Sequence, residues 1–120
     1  MTNGDFNESF RQRTKAFAVA IIKLCDSFSP GRSNSVIAYQ LCKSATSTGA
    51  NFRAFCRGRS KSEKFSKICI VVEEADESLY WLELIQDLSR NNPSYSLLPL
   101  IQESTEILKI AAKIKSAFAP

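Results

Sequence analysis

The stretch SKSEKFSKICIVVEEADESLYWLELIQDL, residues 60–88, decides how this chain folds. It opens with Ser60-x-x-Glu63, a capping-box spacing in which hydroxyl and carboxylate each satisfy a backbone N–H that a helix start leaves unpaired. Behind it Phe65, Ile68, Val72, Ala75, Leu79 and Leu82 step by 3, 4, 3, 4 and 3, the period of a bundle seam. Trp81, Leu84, Ile85 and Leu88 add a second stripe, wider than one seam needs. A bundle core and an oligomer contact through Trp81, Leu84 and Leu88 both use such width. The pattern predicts a helix over 61–89, stopped by Ser89-Arg90-Asn91-Asn92-Pro93.

Three more helices follow from the same period. Upstream, Ile37, Leu41, Ala45, Thr48, Phe52 and Phe55 share one face of a helix over about 34–57. Its middle, Ser44-Ala45-Thr46-Ser47-Thr48-Gly49-Ala50, is poor in helix formers, each hydroxyl, β-branched or glycine residue costing some tenths to about 1 kcal/mol relative to alanine. Small side chains let a neighbouring helix come close, so the run reads first as a packing seam and second as a ligand-contacting turn. A break at Gly49 stays open. Earlier still, Phe10, Phe17, Ile21, Leu24 and Phe28 mark a helix over about 8–28, capped by Asn7 or Ser9 and stopped by Ser29-Pro30-Gly31. Downstream, Leu97, Ile101, Ser104, Leu108, Ala111 and Ile114 mark a helix over about 96–118, opening near Ser96 with Pro99 in its first turn. No segment alternates with period two. Four such helices on short turns predict one all-α domain, an antiparallel up-down-up-down four-helix bundle.

Composition excludes several functions. A chain of 120 residues and 13.4 kDa buries roughly two-thirds of the surface its unfolded form exposes, enough for one core without staples. It contains no histidine, which removes Ser-His-Asp and Cys-His nucleophile pairs and histidine zinc sites. Cys25, Cys42, Cys56 and Cys69 contain no Cys-x-x-Cys pair and read as reduced, small apolar packing residues. Carboxylates on helices build di-iron sites only with Glu-x-x-His pairs, which are absent. No phosphate-cradling glycine loop is present. The expectation is a non-enzyme without metal or cofactor. No run reaches the ~20 apolar residues of a membrane span and the first residues lack a signal pattern, so the expected compartment is the cytoplasm.

Charge divides the chain. Residues 1–67 carry 12 basic and 4 acidic side chains, net +8, and residues 68–120 carry 4 basic and 8 acidic, net −4. Arg53, Arg57, Arg59, Lys61, Lys64 and Lys67 surround the turn between the second and third helices, and Arg11, Arg13 and Lys15 lie near the start of the first. In an up-down bundle both groups fall at one end. This basic pole fits RNA or DNA phosphates, and recognises backbone and shape rather than bases. The competing reading is a solvated rim whose charges pair between subunits. Phe10, Phe52, Phe55 and Phe65 lie among the cations but on core stripes, against base stacking. The like-charged run Glu73-Glu74-Ala75-Asp76-Glu77 needs cations nearby, and helix register nominates Lys15, Lys43 and Lys113, within a chain or across a subunit boundary.

The stretches 39–53, YQLCKSATSTGANFR, then 55–60, FCRGRS, and 72–82, VEEADESLYWL, resemble the small bacterial four-helix-bundle proteins encoded in 23S ribosomal RNA intervening sequences. The resemblance covers about residues 10–118. It implies an antiparallel bundle assembled as a ring-like homopentamer, and a cellular role that the family leaves largely undefined. Relatives include the accessory variability determinant of diversity-generating retroelements, a basic pentamer associated with a reverse transcriptase and nucleic acid. Arg53 and the Glu73–Glu77 run match family motif positions, which implies structural ion pairs; no catalytic residues are implied. Two functional classes stand: a nucleic-acid-binding oligomer, and an adaptor that recruits a protein such as a reverse transcriptase.

Overall fold

The computed structural model describes residues 2–89 and 97–120, and they form four helices: α1 (Asn3–Asp26), α2 (Arg32–Cys56), α3 (Lys61–Leu88) and α4 (Leu98–Phe118). Among the described residues there is no strand. The bundle measures 47 × 27 × 20 Å, its long axis close to the roughly 42 Å that the 28 residues of α3 span. Neighbours run in opposite directions. Thr14 of α1 lies beside Gly49 of α2, and further up α1 the Cys25 thiol donates to the Ala38 carbonyl, earlier in α2. Phe118, at the end of α4, meets Phe55, at the end of α2. The chain therefore runs up-down-up-down, with α2 and α3 packed most extensively and α1 and α4 least.

Helix ends follow local chemistry. α1 starts five residues earlier than expected, because Thr2 and Asp5, rather than Asn7 or Ser9, form the capping box: Asp5 N–H donates to Thr2 Oγ1 and Thr2 N–H to the Asp5 carboxylate. Gly31 takes φ 157°, ψ 156° at the start of α2, a region essentially restricted to glycine. α2 is continuous through Gly49. At its end Gly58 leaves room for Lys64, whose Cγ would stand 2.6 Å from a Cβ there. Ser60 Oγ accepts from Glu63 N–H, 3.0 Å, and caps α3. Pro99 occupies the first turn of α4, as expected. The expected turn at 90–93 and the expected opening at Ser96 lie outside the described residues.

The α2 stripe is buried as read, with Ser44 added. The α3 stripe is corrected. Ile68, Val71, Ala75, Ser78, Leu82 and Ile85 are buried, while Phe65, Val72 and Leu79 are only partly covered. Apolar residues surround this helix at Ile68-Cys69-Ile70-Val71-Val72, so hydrophobicity does not mark its phase. Packing does, because Ser78 Oγ–H meets Ser44 Oγ at 2.9 Å across the α2/α3 seam. Thr14 fills the gap between Phe10 and Phe17, and Ile107 takes the buried place expected for Leu108.

Candidate nucleic-acid interface

Aromatic packing gathers the ends of three helices. Phe10 of α1 meets Phe52 of α2 edge to face, ring centroids 4.7 Å apart; Phe52 stacks near Phe55 at 5.4 Å; Phe55 meets Phe118 of α4 at 5.0 Å. Around this cluster stand Arg11, Arg53 and Arg57, the turn residue Arg59, and Lys61, Lys64 and Lys67 in the first two turns of α3. The end of α4 brings Lys113 and Lys115 to the same pole, which sequence reading did not assign to it. The signal was available, since α4 must end where α2 ends. Phe10, Phe52 and Phe55 are buried and Phe65 packs against the core, so these rings offer no face for base stacking.

Not every cation of the pole is free. The Arg13 guanidinium forks onto Glu103 of α4, with bonds of 2.8 and 2.7 Å, and this hydrogen bond holds its pKa above the ordinary value against partial desolvation. Arg13 ties α1 to α4 instead of facing a phosphate. Lys64 Nζ donates to the carbonyls of Phe55 (3.1 Å) and Cys56 (3.4 Å) and lies 4.9 Å above the Phe55 ring, capping the end of α2. Arg11 pairs with Glu8 one turn earlier, and Gln12 donates to the same carboxylate. The Gln12 bond, then the Arg11 charge, holds the Glu8 carboxyl below its ordinary value against a little desolvation. Arg53, Arg57, Arg59, Lys61 and Lys67 have no side-chain hydrogen bond or ion pair among the described residues.

Beside the pole, a groove of about 420 Å³ runs between α1 and α2. Arg11, Gln12 and Lys15 form its α1 wall, Arg53 stands on α2, and Ala18, Thr46, Gly49 and Ala50 leave it open. The small-residue run of α2 thus has two destinations. Ser44, Ala45 and Thr48 are buried in the bundle, the expected seam, while Thr46, Gly49 and Ala50 border the groove.

The acidic run occupies α3. Glu73, Asp76 and Glu77 are exposed and Glu74 is half-buried. Burial first, then the charges of Glu77 and Glu73, pushes the Glu74 carboxyl up, and the Lys43 charge opposes this. Among the described residues, none of Glu73, Glu74, Asp76 or Glu77 forms an ion pair with Lys15, Lys43, Arg53 or Lys113. Lys43 acts on Glu74 only at longer range. Lys15 and Arg53 face the groove, and Lys113 sits roughly a turn and a half nearer the basic pole than Glu73 because Phe118 is level with the start of α3. Of the expected contact residues, Trp81 and Leu84 pack partly buried against the core, and Leu88 is 69% exposed. Val19 and Ile22 of α1, Val36 and Tyr39 of α2, and Tyr80 of α3 are exposed as well. Val19 with Ile22 and Val36 with Tyr39 are each spaced i, i+3 off the buried stripes, the missed sign of exposed apolar pairs on α1 and α2.

Cys25, buried beside Ala38, has its thiol pushed up to about 12 by burial first and then by Cys42, so it stays protonated. No described helix is long and apolar enough to cross a membrane.

No family model and no curated relative matches the chain. It is similar to the crystal structure of a protein of unknown function from the S23 ribosomal protein family of Bacteroides thetaiotaomicron VPI-5482. The two share 28% identity and superpose with a TM-score of 0.79, over 92% of this chain and 97% of the other. The likeness is nearly end to end.

Proposed function

We propose that this chain is the subunit of a non-enzymatic, cytoplasmic homo-oligomer that binds the phosphate backbone of RNA or DNA through its basic end. The observation that carries this reading is the convergence of Arg53, Arg57, Arg59, Lys61 and Lys67 on one end, none held by a carboxylate among the described residues. Lys113 and Lys115 extend the patch. The S23 ribosomal protein family of the similar structure is in keeping with the resemblance to intervening-sequence proteins, and the five-membered ring rests on that resemblance alone. Each cation that neutralises a phosphate releases condensed counterions, so five contacts give a log–log salt slope of about −3.5 on single strands. With no histidine in the chain, binding changes little between pH 5 and 8. Filter binding across a salt series tests this: wild type binds at low salt with that slope, and Arg57→Glu, Arg59→Glu and Lys61→Glu together abolish it. No affinity at low salt, or affinity unchanged in the triple variant, removes the reading.

The second reading is an adaptor that recruits a protein such as a reverse transcriptase, with charges serving subunit assembly. The exposed Val19, Ile22, Val36, Tyr39 and Tyr80 favour it. Pull-down with nuclease treatment separates the two, a partner kept after nuclease favouring the adaptor. Sedimentation at 13.4 kDa at micromolar concentration excludes the ring.

A further inference from the structure

The groove between α1 and α2 lies on the side of the bundle, outside the turn that carries the basic end. Arg53, on its α2 wall, is one helical turn from Arg57 of the pole, so the two positive surfaces are continuous along one helix face. Opposite, Arg11 and Lys15 are also one turn apart, with Cβ atoms about 5–6 Å from each other. The antiparallel register that sets Thr14 beside Gly49 brings these walls level, so cations face the groove from both sides. No carboxylate lines it, and the nearest partner, Glu8, is already held by Arg11 and Gln12. Lys15 and Arg53 have no ion-pair partner among the described residues.

Lys15 and Arg53 are like charges on one cavity with no counter-ion, Arg11 being paired with Glu8, and the binding of an anion relieves their repulsion. The size of the cavity restricts which anion. About 420 Å³ is the scale of a small-ligand site, and its cations favour a phosphate over an apolar occupant. The Thr46 hydroxyl is turned back to the carbonyls of Cys42 (2.7 Å) and Lys43 (3.2 Å), Ala18, Gly49 and Ala50 have no polar side-chain atom, and the Gln12 amide donates to Glu8, so what the groove chiefly offers is positive charge. We infer that the Arg11–Lys15–Arg53 groove is a phosphate-binding channel that takes consecutive phosphates of a nucleic-acid strand leading off the basic end. This rests on the nucleic-acid reading above and assigns the strand its path: from the pole at Arg57 past Arg53 and along α1 toward Lys15.

Ala50 permits a test that leaves charge alone. It is exposed on the groove, so Ala50→Phe fills the channel without touching the core. Fluorescence anisotropy with a labelled single-stranded 20-mer RNA is measured for wild type, Ala50→Phe, the pair Lys15→Gln with Arg53→Gln, and Lys23→Gln at the far end of α1 as control. Ala50→Phe is expected to lower affinity about tenfold with helical content and sedimentation unchanged. The double glutamine variant is expected to flatten the log–log salt slope by about 1.4, the value for two lost phosphate contacts on a single strand. Lys23→Gln is expected to bind as wild type does. Wild-type binding that survives both groove changes with its slope intact overturns the channel and leaves the basic-end reading standing. A wild type with no affinity removes both. Ala50→Phe that alters sedimentation while leaving affinity unchanged makes the groove a contact between copies and overturns the channel too. Inorganic pyrophosphate supplies the remaining arm: if its binding is lost in Ala50→Phe while RNA binding is not, the groove serves a free polyphosphate and the strand path is wrong.

Discussion

Helix α2 uses the same kind of small residue in opposite ways on its two sides. Toward the core, Ser44, Ala45 and Thr48 are buried, and Ser44 lets Ser78 of α3 come within hydrogen-bond distance. Toward solvent, beside α1, Thr46, Gly49 and Ala50 border a groove that stays open between charged side chains. Composition is similar on the two sides and burial is not, because what a small residue does depends on whether its neighbour is another small residue or a long cation. Enlarging one alanine on each side breaks or sharpens this contrast. Ala45 is 0% exposed, so Ala45→Leu overpacks the closed side and is expected to cost about 1–3 kcal/mol, lowering Tm by several degrees. Ala50→Leu on the open side is expected to stay within about 0.5 kcal/mol of wild type. Denaturant melts of the two variants decide it, and equal midpoints would mean that the closed side is not close-packed.

Buried hydroxyls extend the contrast to the other face of α3. The Ser44 hydroxyl donates to Leu41 O, 3.1 Å, and accepts from Ser78 Oγ, which also lies 2.9 Å from Glu74 O. Ser104 of α4 is equally buried, 1% exposed, yet its Oγ has no partner among the described residues, and Trp81 Nε1 is likewise unpaired. A buried hydroxyl without a bond bears its desolvation cost with no return. Ser78→Ala is therefore expected to cost about 1 kcal/mol, and Ser104→Ala to cost nothing or to stabilise by a similar amount. The pair Ser44→Ala with Ser78→Ala should cost less than the two single changes together, since removing both partners leaves neither one orphaned. Thermal melts read the opposite signs directly; a destabilising Ser104→Ala would reveal a bond that the hydroxyl makes through water.

These cases locate what is legible in the chain. The α2 stripe from Ile37 to Phe55 is readable because its large apolar residues recur on one face, with only the small hydroxyl residues Ser44 and Thr48 among them. α3 is readable as a helix but not in phase, since Val71 and Val72 are adjacent and chemically identical, and only Ser44 across the seam selects the turn that buries Ser78. Cations follow the same rule. Arg13 and Lys64 look in sequence like Arg53 and Lys61, and tertiary contacts with Glu103 and with the carbonyls ending α2 remove them from the free set. The basic end was legible because charge density is a property of the chain. The groove was not, because Lys15 and Arg53 line one cavity only when α1 and α2 pack side by side.

The smallest expected effect lies at the edge of the closed side, where Glu74 looks toward Lys43. Its carboxyl is raised above the ordinary 4.5 chiefly by burial, then by Glu77 and Glu73, with Lys43 pulling the other way. A carboxyl raised in the folded state binds its proton more readily there than in the unfolded chain, so its contribution to stability grows as pH falls through the folded pKa toward the unfolded one. Above that window the ionised group is a liability. The side chain is half-buried and still reached by water, and screening reduces the effect to about 0.5 kcal/mol or less. Glu74→Gln is therefore expected to be slightly more stable than wild type at pH 7, with the advantage shrinking as urea melts are repeated toward pH 4.5. An advantage independent of pH would assign it to packing at the seam, and a loss at pH 7 would mean that the Lys43 attraction outweighs burial and the two neighbouring carboxylates.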